Sequence, residues 1–424
     1  MQLENALYAK YIIDGAQKAA SPASMLESLL ENQRRGLGPA QESRQERYGE
    51  GSNSAEAAIW EAGTRRVGFQ AENRAAPYQR RAEEFGIIID ESPEDEGGAL
   101  SPVWDNLELC LEKTAAGESA EDFSIFEINP SHSAFQSRLA LAQTLLSRIS
   151  SKGHFRLDNL ALRPVWKWND RKIGNMAALY SSVENFCDYA ESLGLKISDF
   201  ACEEAENLAL EIEVSLSSED LGEVFEIEMP FKASNPSLLE GTLCADKALG
   251  PDSSWVVFVP FETADFKLGG SLAAKIMAAG AGREPELADS PYFLDCYEVL
   301  REMMEDGVVK SAAVSGRGGL VSALRRLAGG RMGVEVSEEN LKGIKSAEGL
   351  AGTLFADIPG LVMEIGDADF DYLDAELLLQ EVAYYPLGHP SPQTEGLSIS
   401  KGKGGNVGDL LLALLESKSS EGED

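Results

Sequence analysis

The residues best placed to do chemistry in this 424-residue chain stand in a row: Gly316, Arg317, Gly318 and Gly319. A glycine turn ahead of a helix lets backbone amides approach a phosphate and sets the positive end of the helix dipole behind it. Arg317 adds a fixed cation able to pair with the same anion. The flanks suit this role. Val308 to Ser315 is short and mostly apolar, as a buried strand would be. After Gly319, Leu320, Ala323, Leu324 and Leu327 recur at helical spacing. The same four residues, without a ligand, make a plain turn between two packed elements.

Other chemistry-bearing residues are dispersed. Between Cys202 and Glu228 there are ten acids and no base, and Glu211 and Glu213 form a pair of the kind that holds magnesium. They sit in Leu208–Leu216, an alternating stretch whose polar positions should face water. His132, His154 and His389 lack metal-ligand spacing and are expected to be structural. Cys110, Cys187, Cys202, Cys244 and Cys296 contain no C-x-x-C pair, which fits reduced intracellular thiols.

Seventy-one acids against 37 bases give a net charge of −34, which argues against nucleic-acid binding. Between Gln33 and Glu84 the sign reverses locally, with Arg34, Arg35, Arg44, Arg47, Arg65, Arg66, Arg74, Arg80 and Arg81. That segment reads either as a contact for phosphates or an acidic partner, or as a solvated, partly disordered stretch. There is no basic leader with an apolar core and no apolar run long enough for a bilayer, so the expected location is the cytoplasm.

The elements that must position these residues read as follows. Leu3, Leu7, Tyr11 and Ile12 fall at helical spacing, and a second helix starts at Ser21-Pro22. Gly86–Ile89 is a short apolar run. Phe123–Ile128 is a strand, Ala134–Ile149 a helix, Leu157–Trp168 a strand and loop, and Met176–Leu193 a helix closed by Gly194. Leu238–Ala245 is a further strand. Trp255–Pro260 opens a second domain, followed by the Leu268-Gly-Gly-Ser turn, a helix to about Ala279, and a helix over Phe293–Met304. Beyond the glycine turn come a strand at Leu361–Ile365, a helix at Tyr372–Gln380, a final strand at Val382–Leu387, and a short helix at Val407–Glu416. Strands mixed with helices indicate an α+β architecture.

In their order and spacing these pieces resemble the second synthetase half of the large, single-chain phosphoribosylformylglycinamidine synthase family, within the aminoimidazole ribonucleotide synthetase (PurM-like) superfamily. The resemblance is carried by Asn175-Met-Ala-Ala-Leu-Tyr-Ser-Ser-Val-Glu, Leu193-Gly-Leu-Lys-Ile, Pro236-Ser-Leu, Leu268-Gly-Gly-Ser and Ser315-Gly-Arg-Gly-Gly-Leu. Leu354-Phe-Ala-Asp, Tyr385-Pro-Leu-Gly and Val407–Ser417 extend it, so it covers about residues 100 to 418. It implies a PurM-like two-domain half: an N-terminal four-stranded-sheet domain (101–249) and a C-terminal α/β sandwich domain (250–395). A helical, arginine-rich and poorly ordered extension (1–100) precedes them, and a short helix and polar tail (396–424) follow. It also implies ATP-dependent ligation in purine synthesis, with ATP or ADP and magnesium as cofactors. Arg317, Gly316, Gly318 and Gly319 become the cofactor-binding candidates, and Asp199, Glu203 and Glu204 the metal candidates. The implied partner is a second copy, as a homodimer, or another synthetase-family subunit, since a lone N-terminal half-sheet would expose an apolar face.

The chain also departs from the family. Where the family has a segment like P-V-G-K-D-S-M-S-M, this chain has Ser198-Asp-Phe-Ala-Cys-Glu-Glu-Ala-Glu, with Ala201 and Cys202 at the lysine and aspartate. Alanine cannot donate to a phosphate, and a thiol is a poor magnesium ligand. Where the family reads H-D-x-S-D-G-G, Val314 and Arg317 replace acids. A glutaminase domain and the first synthetase half are not recognisable. The expected function is therefore a divergent synthase-like protein without autonomous catalysis. The alternatives are an active ligase with a remodelled nucleotide site, or an interaction module that reuses the fold.

Overall fold

The computed structural model describes residues 4–13, 16–34, 102–117, 125–149, 157, 160–216, 248–250, 253–278, 282–329, 332–344, 346–394 and 396–400. The expected features at Gly86–Ile89, Leu238–Ala245 and Val407–Glu416, the arginines from Arg35 to Arg81, His154 and Cys244 lie outside these residues.

The N-terminus departs from the helical reading. Helix α1 (Glu4–Leu7) is a single turn, and Ile12 falls in a small antiparallel hairpin, β1 (Ile12–Ile13) with β2 (Ala16–Gln17). The sequence between those strands is Asp14-Gly15, a strong hairpin signal that outweighs a weak helical period. Helix α2 (Pro22–Arg34) starts where Ser21-Pro22 directs, with the Ser24 amide donating to Ser21 Oγ at 3.2 Å. Tyr11 meets Tyr180 at 5.2 Å between ring centroids, so this part of the extension packs on the body of the protein.

Helix α3 (Leu107–Gly117) precedes the first sheet-centred half. That half contains β3 (Ile125–Glu127), α4 (Ser133–Leu146), β4 (Leu160–Trp168), α5 (Asn175–Ser192), β5 (Lys196–Ile197), β6 (Ala201–Glu204) and β7 (Ala209–Leu216). The sheet order is β3-β7-β4-β5, and β6 pairs with β4 beyond β5. β5 and β6 thus act as one interrupted edge strand, and the sheet is four strands wide. Its inner face carries Leu160, Leu162, Trp166 and Trp168, all fully buried. Trp166 Nε1 donates to Ser182 Oγ at 2.9 Å and Trp168 Nε1 to the Asn175 carbonyl at 2.7 Å, which anchors α5.

The outer face is not the apolar surface that the pairing argument assumed. Arg163 stands opposite Glu213 on β7 and pairs with it at 2.8 Å, and Lys167 reaches Glu211 at 2.6 Å. Cross-strand pairs of opposite charge are the favourable arrangement on a solvated sheet face. They also account for Glu211 and Glu213, which answer bases and do not converge on a metal.

The second half is built on a six-stranded sheet. Its elements are β8 (Ser254–Pro260), α6 (Leu272–Met277), α7 (Ser290–Glu305), β9 (Val309–Ser315), α8 (Gly319–Leu327), β10 (Gly333–Ser337), α9 (Glu338–Lys342), α10 (Gly349–Phe355), β11 (Gly360–Gly366), α11 (Phe370–Leu379), β12 (Tyr385–Ser391) and β13 (Leu397–Ser400). The strand order is β13-β10-β12-β8-β11-β9. The sequence reading missed α9, α10, β10 and β13, and it made β12 the last strand. β13 follows β12 and pairs in parallel with β10. β11 is buried along its whole length, which is why it reads as a continuous apolar run.

Glu364 is the exception in that run. It is fully buried and accepts from Ser254 Oγ at 2.8 Å, Ser311 Oγ at 2.7 Å and the Gly250 amide at 3.0 Å. One carboxylate thereby ties β8, β9 and β11 together. Glu364→Ala should lower stability by about 3 kcal/mol, because it removes the shared acceptor of two buried hydroxyls and a part-buried amide and leaves a new cavity. Urea denaturation checks this, and a loss below about 1 kcal/mol would refute it.

The turn before α8 depends on a missing side chain. Gly319 has φ +69°, and a Cβ there would lie 2.6 Å from the Leu354 carbonyl. Gly349 has a similar φ of +63° with open space around it. Both Gly→Ala variants carry the left-handed penalty of about 1–2 kcal/mol. Only Gly319→Ala must also displace α10, so it should be the more destabilising by at least about 1 kcal/mol. Equal losses for the two in parallel urea titrations would refute the packing argument.

Candidate functional site

The Gly316–Gly319 turn forms where β9 ends and α8 begins, as expected, but its amides point inward. Arg317 N–H donates to Gln143 Oε1 at 3.0 Å, Gly318 N–H to Asp357 Oδ1 at 3.0 Å, and Gly319 N–H to the Gly316 carbonyl at 2.9 Å. The acceptor of the Arg317 amide comes from α4, in the other half. Gly316 permits that approach, since a Cβ there would lie 2.7 Å from Gln143 Oε1. Of the amides expected to cradle a phosphate, those of Arg317 and Gly318 are therefore occupied by side chains of the protein itself and that of Gly319 by a backbone carbonyl.

The second glycine turn, Leu268-Gly-Gly-Ser, meets the first through Asp357. Leu272 N–H donates to Asp357 Oδ2 at 3.1 Å, and Ser271 Oγ caps α6 by accepting from Ala274 N–H at 3.1 Å. α4 reaches this turn as well, with Gln136 Nε2 donating to the Gly270 carbonyl at 3.0 Å. His132, at the N-cap of α4, contacts Glu284 from the second half.

Between these elements lies a cleft of about 650 Å³. One wall is formed by Phe126–Pro130 and Glu206–Leu208 with the loop carrying Arg171 and Lys172. The other is formed by Gly270–Lys275 with Arg317 and Asp357. Among the described residues four bases line it (Arg171, Lys172, Lys275 and Arg317) against three acids (Glu127, Glu206 and Asp357), a formal balance of +1 for these seven in a chain of −34.

The acids are not equivalent. Asp357 is 2% exposed, with both oxygens engaged by amides. Glu206 is on the exposed rim. Glu127 reaches Lys275 Nζ at 2.5 Å and lies 3.6 Å from the Arg317 guanidinium. The hydrogen bond from Lys275 holds its carboxyl below the usual carboxylate range, with Arg317 acting in the same direction and partial burial opposing. Lys275 and Glu127 are both about half exposed, so the pair adds little stability. Its consequence is a cluster of two cations and one anion facing the cleft.

The structure separates the residues expected to act together. Arg317 lines the cleft, and Gly316, Gly318 and Gly319 support it from behind. The metal candidates are elsewhere. Asp199 is mostly exposed and pairs with Arg163 at 3.4 Å, while Glu203 and Glu204 are exposed on β6. Successive strand residues face opposite sides of a sheet, so Glu203 and Glu204 cannot converge on one ion. Among the described residues no group of three His, Cys, Asp or Glu side chains could hold a metal ion. Cys202 is buried, and burial pushes its thiol up to about 12, with the charge of Glu203 adding to the effect. His389 is structural, with Nδ1 2.9 Å from the Ser254 carbonyl and its ring 4.0 Å from that of Trp255.

The chemistry of the donors thus fits phosphate oxygens and not a magnesium ion. Magnesium bound with a nucleotide calls for one or two free carboxylates beside the phosphates. Asp357 has no free oxygen facing the cleft, and Glu127 is flanked by two cations that repel a third.

Sequence reasoning missed Glu127, Gln143, Lys275 and Asp357. Asp357 closes the quoted Leu354-Phe-Ala-Asp motif, and Lys275 lies one helical turn past the Leu268-Gly-Gly-Ser motif, so both carried a positional signal. Glu127 and Gln143 come from the other sheet-centred half and carried none.

No family model matches the chain. Over 149 residues the chain is 27% identical to an Arabidopsis thaliana protein described as probable phosphoribosylformylglycinamidine synthase, chloroplastic/mitochondrial; the match spans 35% of this chain and 10% of that protein. Thermotoga maritima PurL, solved in complex with FGAR, aligns at 13% identity and TM-score 0.45 over 66% of this chain and 43% of its own. A thiamine-monophosphate kinase from Stenotrophomonas maltophilia aligns at 12% identity and TM-score 0.39, over 63% and 79% of the two chains. The chain spans less than half the length of both the plant synthase and the bacterial PurL. Among the described residues no helix is long and apolar enough to cross a membrane. Across the matched stretch the chain is similar to a synthetase half of phosphoribosylformylglycinamidine synthase, the family its ordered motifs resemble.

Proposed function

We propose that this chain is a divergent phosphoribosylformylglycinamidine synthase-like protein of purine biosynthesis. Its cleft binds a phosphorylated small molecule, ATP or ADP first among them, and the chain does not complete the ligation unaided. The observation that carries the reading is the Lys275–Glu127–Arg317 cluster, a cation-rich floor in a strongly acidic protein. An anion entering there meets two bases at once, within walls that exclude part of the solvent and so strengthen each attraction. Arg171 and Lys172 extend the same sign along the rim.

The absence of unaided catalysis is supported by what stands at the ligand positions. Ala201 has no donor, and Cys202 points into the core with a thiol that stays protonated near neutral pH. Val314 lies within β9. Arg317 alone among these positions offers a charge to the cleft. It stands where the family places an acid.

Association with a second copy or with another synthetase-family subunit belongs to the same proposal. The charge-paired outer face of the first sheet supports a polar contact there, sensitive to salt. The dispersed cysteines support a reducing, cytoplasmic setting.

Two outcomes are expected. ADP at about a hundred times its Kd should stabilise the full chain against thermal unfolding by about 2.7 kcal/mol. Lys275→Ala, at a half-exposed position, should weaken ADP about tenfold without lowering the stability of the free protein. A chain whose melting is indifferent to millimolar ADP would refute the cleft assignment. Separately, the purified chain given formylglycinamide ribonucleotide, ATP and ammonia should form no amidine above the uncatalysed rate. Turnover in that assay would establish instead an active ligase in which Arg317 acts where the family uses acids.

A further inference from the structure

We infer that the cleft binds its phosphorylated ligand without a divalent cation, Arg317 and Lys275 supplying the charge that a metal would otherwise bring. The inference rests on the proposed anion-binding cleft and concerns how that cleft neutralises its ligand.

A nucleotide's metal bridges phosphate oxygens to protein carboxylates, so a metal-dependent site needs an acid that is both accessible and free. Among the described residues, each acid of this cleft fails one condition. Asp357 is buried and holds Gly318 and Leu272 amides with its two oxygens, so recruiting it would dismantle both glycine turns. Glu127 is accessible but already bonded to Lys275 at 2.5 Å, with Arg317 at 3.6 Å. A divalent cation binding Glu127 would stand against both. Glu206 is a single exposed carboxylate on the rim, without a second acid to form a site. The bases are arranged the other way. Arg317 is nearly buried, with a side-chain exposure of 11%, so its position is set before any ligand arrives. A preset guanidinium donates two parallel hydrogen bonds to a phosphate and cannot lose its proton.

On this reading Glu127 is not a ligand but a resident counterion. It keeps Arg317 and Lys275 paired in the empty cleft, and an incoming phosphate competes with it for both. Removing its charge should therefore favour the phosphate, whereas removing a metal ligand should abolish binding. The two roles predict opposite signs for one substitution.

The test is calorimetric titration of ADP into the full chain and into Glu127→Gln, each in excess EDTA and in millimolar magnesium. Thermal unfolding of the free proteins verifies that the variant folds. The expected result is a Kd that differs by less than about threefold between EDTA and magnesium, and that tightens at least about threefold in Glu127→Gln. ADP binding that requires magnesium and is lost in Glu127→Gln would overturn the inference while leaving the cleft as the ligand site. Absence of binding by the folded wild-type chain in both buffers would overturn the anion-binding reading itself. Should Glu127→Gln fail to fold, Glu127→Asp serves in its place. Withdrawing the carboxylate from Lys275 should then tighten ADP in EDTA, and weaker binding there would count against the counterion role.

Discussion

The carboxylate of Asp357 is the constraint on which the site depends. It lies in the segment between α10 and β11 and holds one amide from each glycine turn, at Gly318 and Leu272. Amide bonds to a charged acceptor contribute about 1.5–3 kcal/mol each, more than neutral ones, and they are directional. Two turns 45 residues apart in sequence, from Leu272 to Arg317, are thereby fixed side by side. Lys275 and Arg317 reach the same point because their turns share this acceptor. The same bonds remove Gly318 N–H from any ligand. What the site gains in rigidity it loses as a backbone cradle, so the proposed anion recognition falls to side chains.

α4 completes the arrangement from the opposite side. Ten of its fourteen residues are buried, which fits a helix sandwiched between its own sheet and the second half. His132, Gln136 and Gln143 repeat at spacings that keep them on one stripe, and all three contact the second half. Gln143 bonds the Arg317 amide and so orients the residue whose guanidinium faces Glu127. Packing between the halves and the electrostatics of the cleft are consequently linked: a shift of α4 would move Arg317 relative to Glu127.

Much of the scaffold was legible in the sequence because its signals are local. The β9–turn–α8 unit follows from an apolar run, a glycine turn and a four-residue stripe, and the structure has all three. Helix α5 and its glycine stop at Gly194, with φ +69°, were legible for the same reason. The failures have three physical origins. Where two local signals compete, as at Tyr11–Gln17, the turn chemistry of Asp14-Gly15 outweighs a helical period carried by few residues. Where a contact joins distant segments, as in Glu127 with Lys275 or Gln143 with Arg317, no spacing announces it. The metal candidates failed for a third reason. Asp199, Glu203 and Glu204 are close in sequence, but Glu203 and Glu204 are successive strand residues on opposite faces of the sheet edge, and Asp199 pairs with Arg163.

The substitutions relative to the family motifs are consistent with one another in electrostatic terms. Losing the aspartate at Cys202 and the acids at Val314 and Arg317 removes the negative charge that would attract a cation. A site that had lost only those acids would still have to offset the charge of a phosphate, now without a metal. In the proposed site Arg317 would do so from the position of one of those acids, with Lys275 beside it. Arg317 and Lys275 set two like charges near each other, and Glu127 offsets that cost from the opposite half. The proposed set holds together as acids absent from the motif positions, a base at Arg317, and Glu127 as the counterion. This arrangement across the two walls of the cleft favours the ligand-binding proposal over an interaction module that merely reuses the fold.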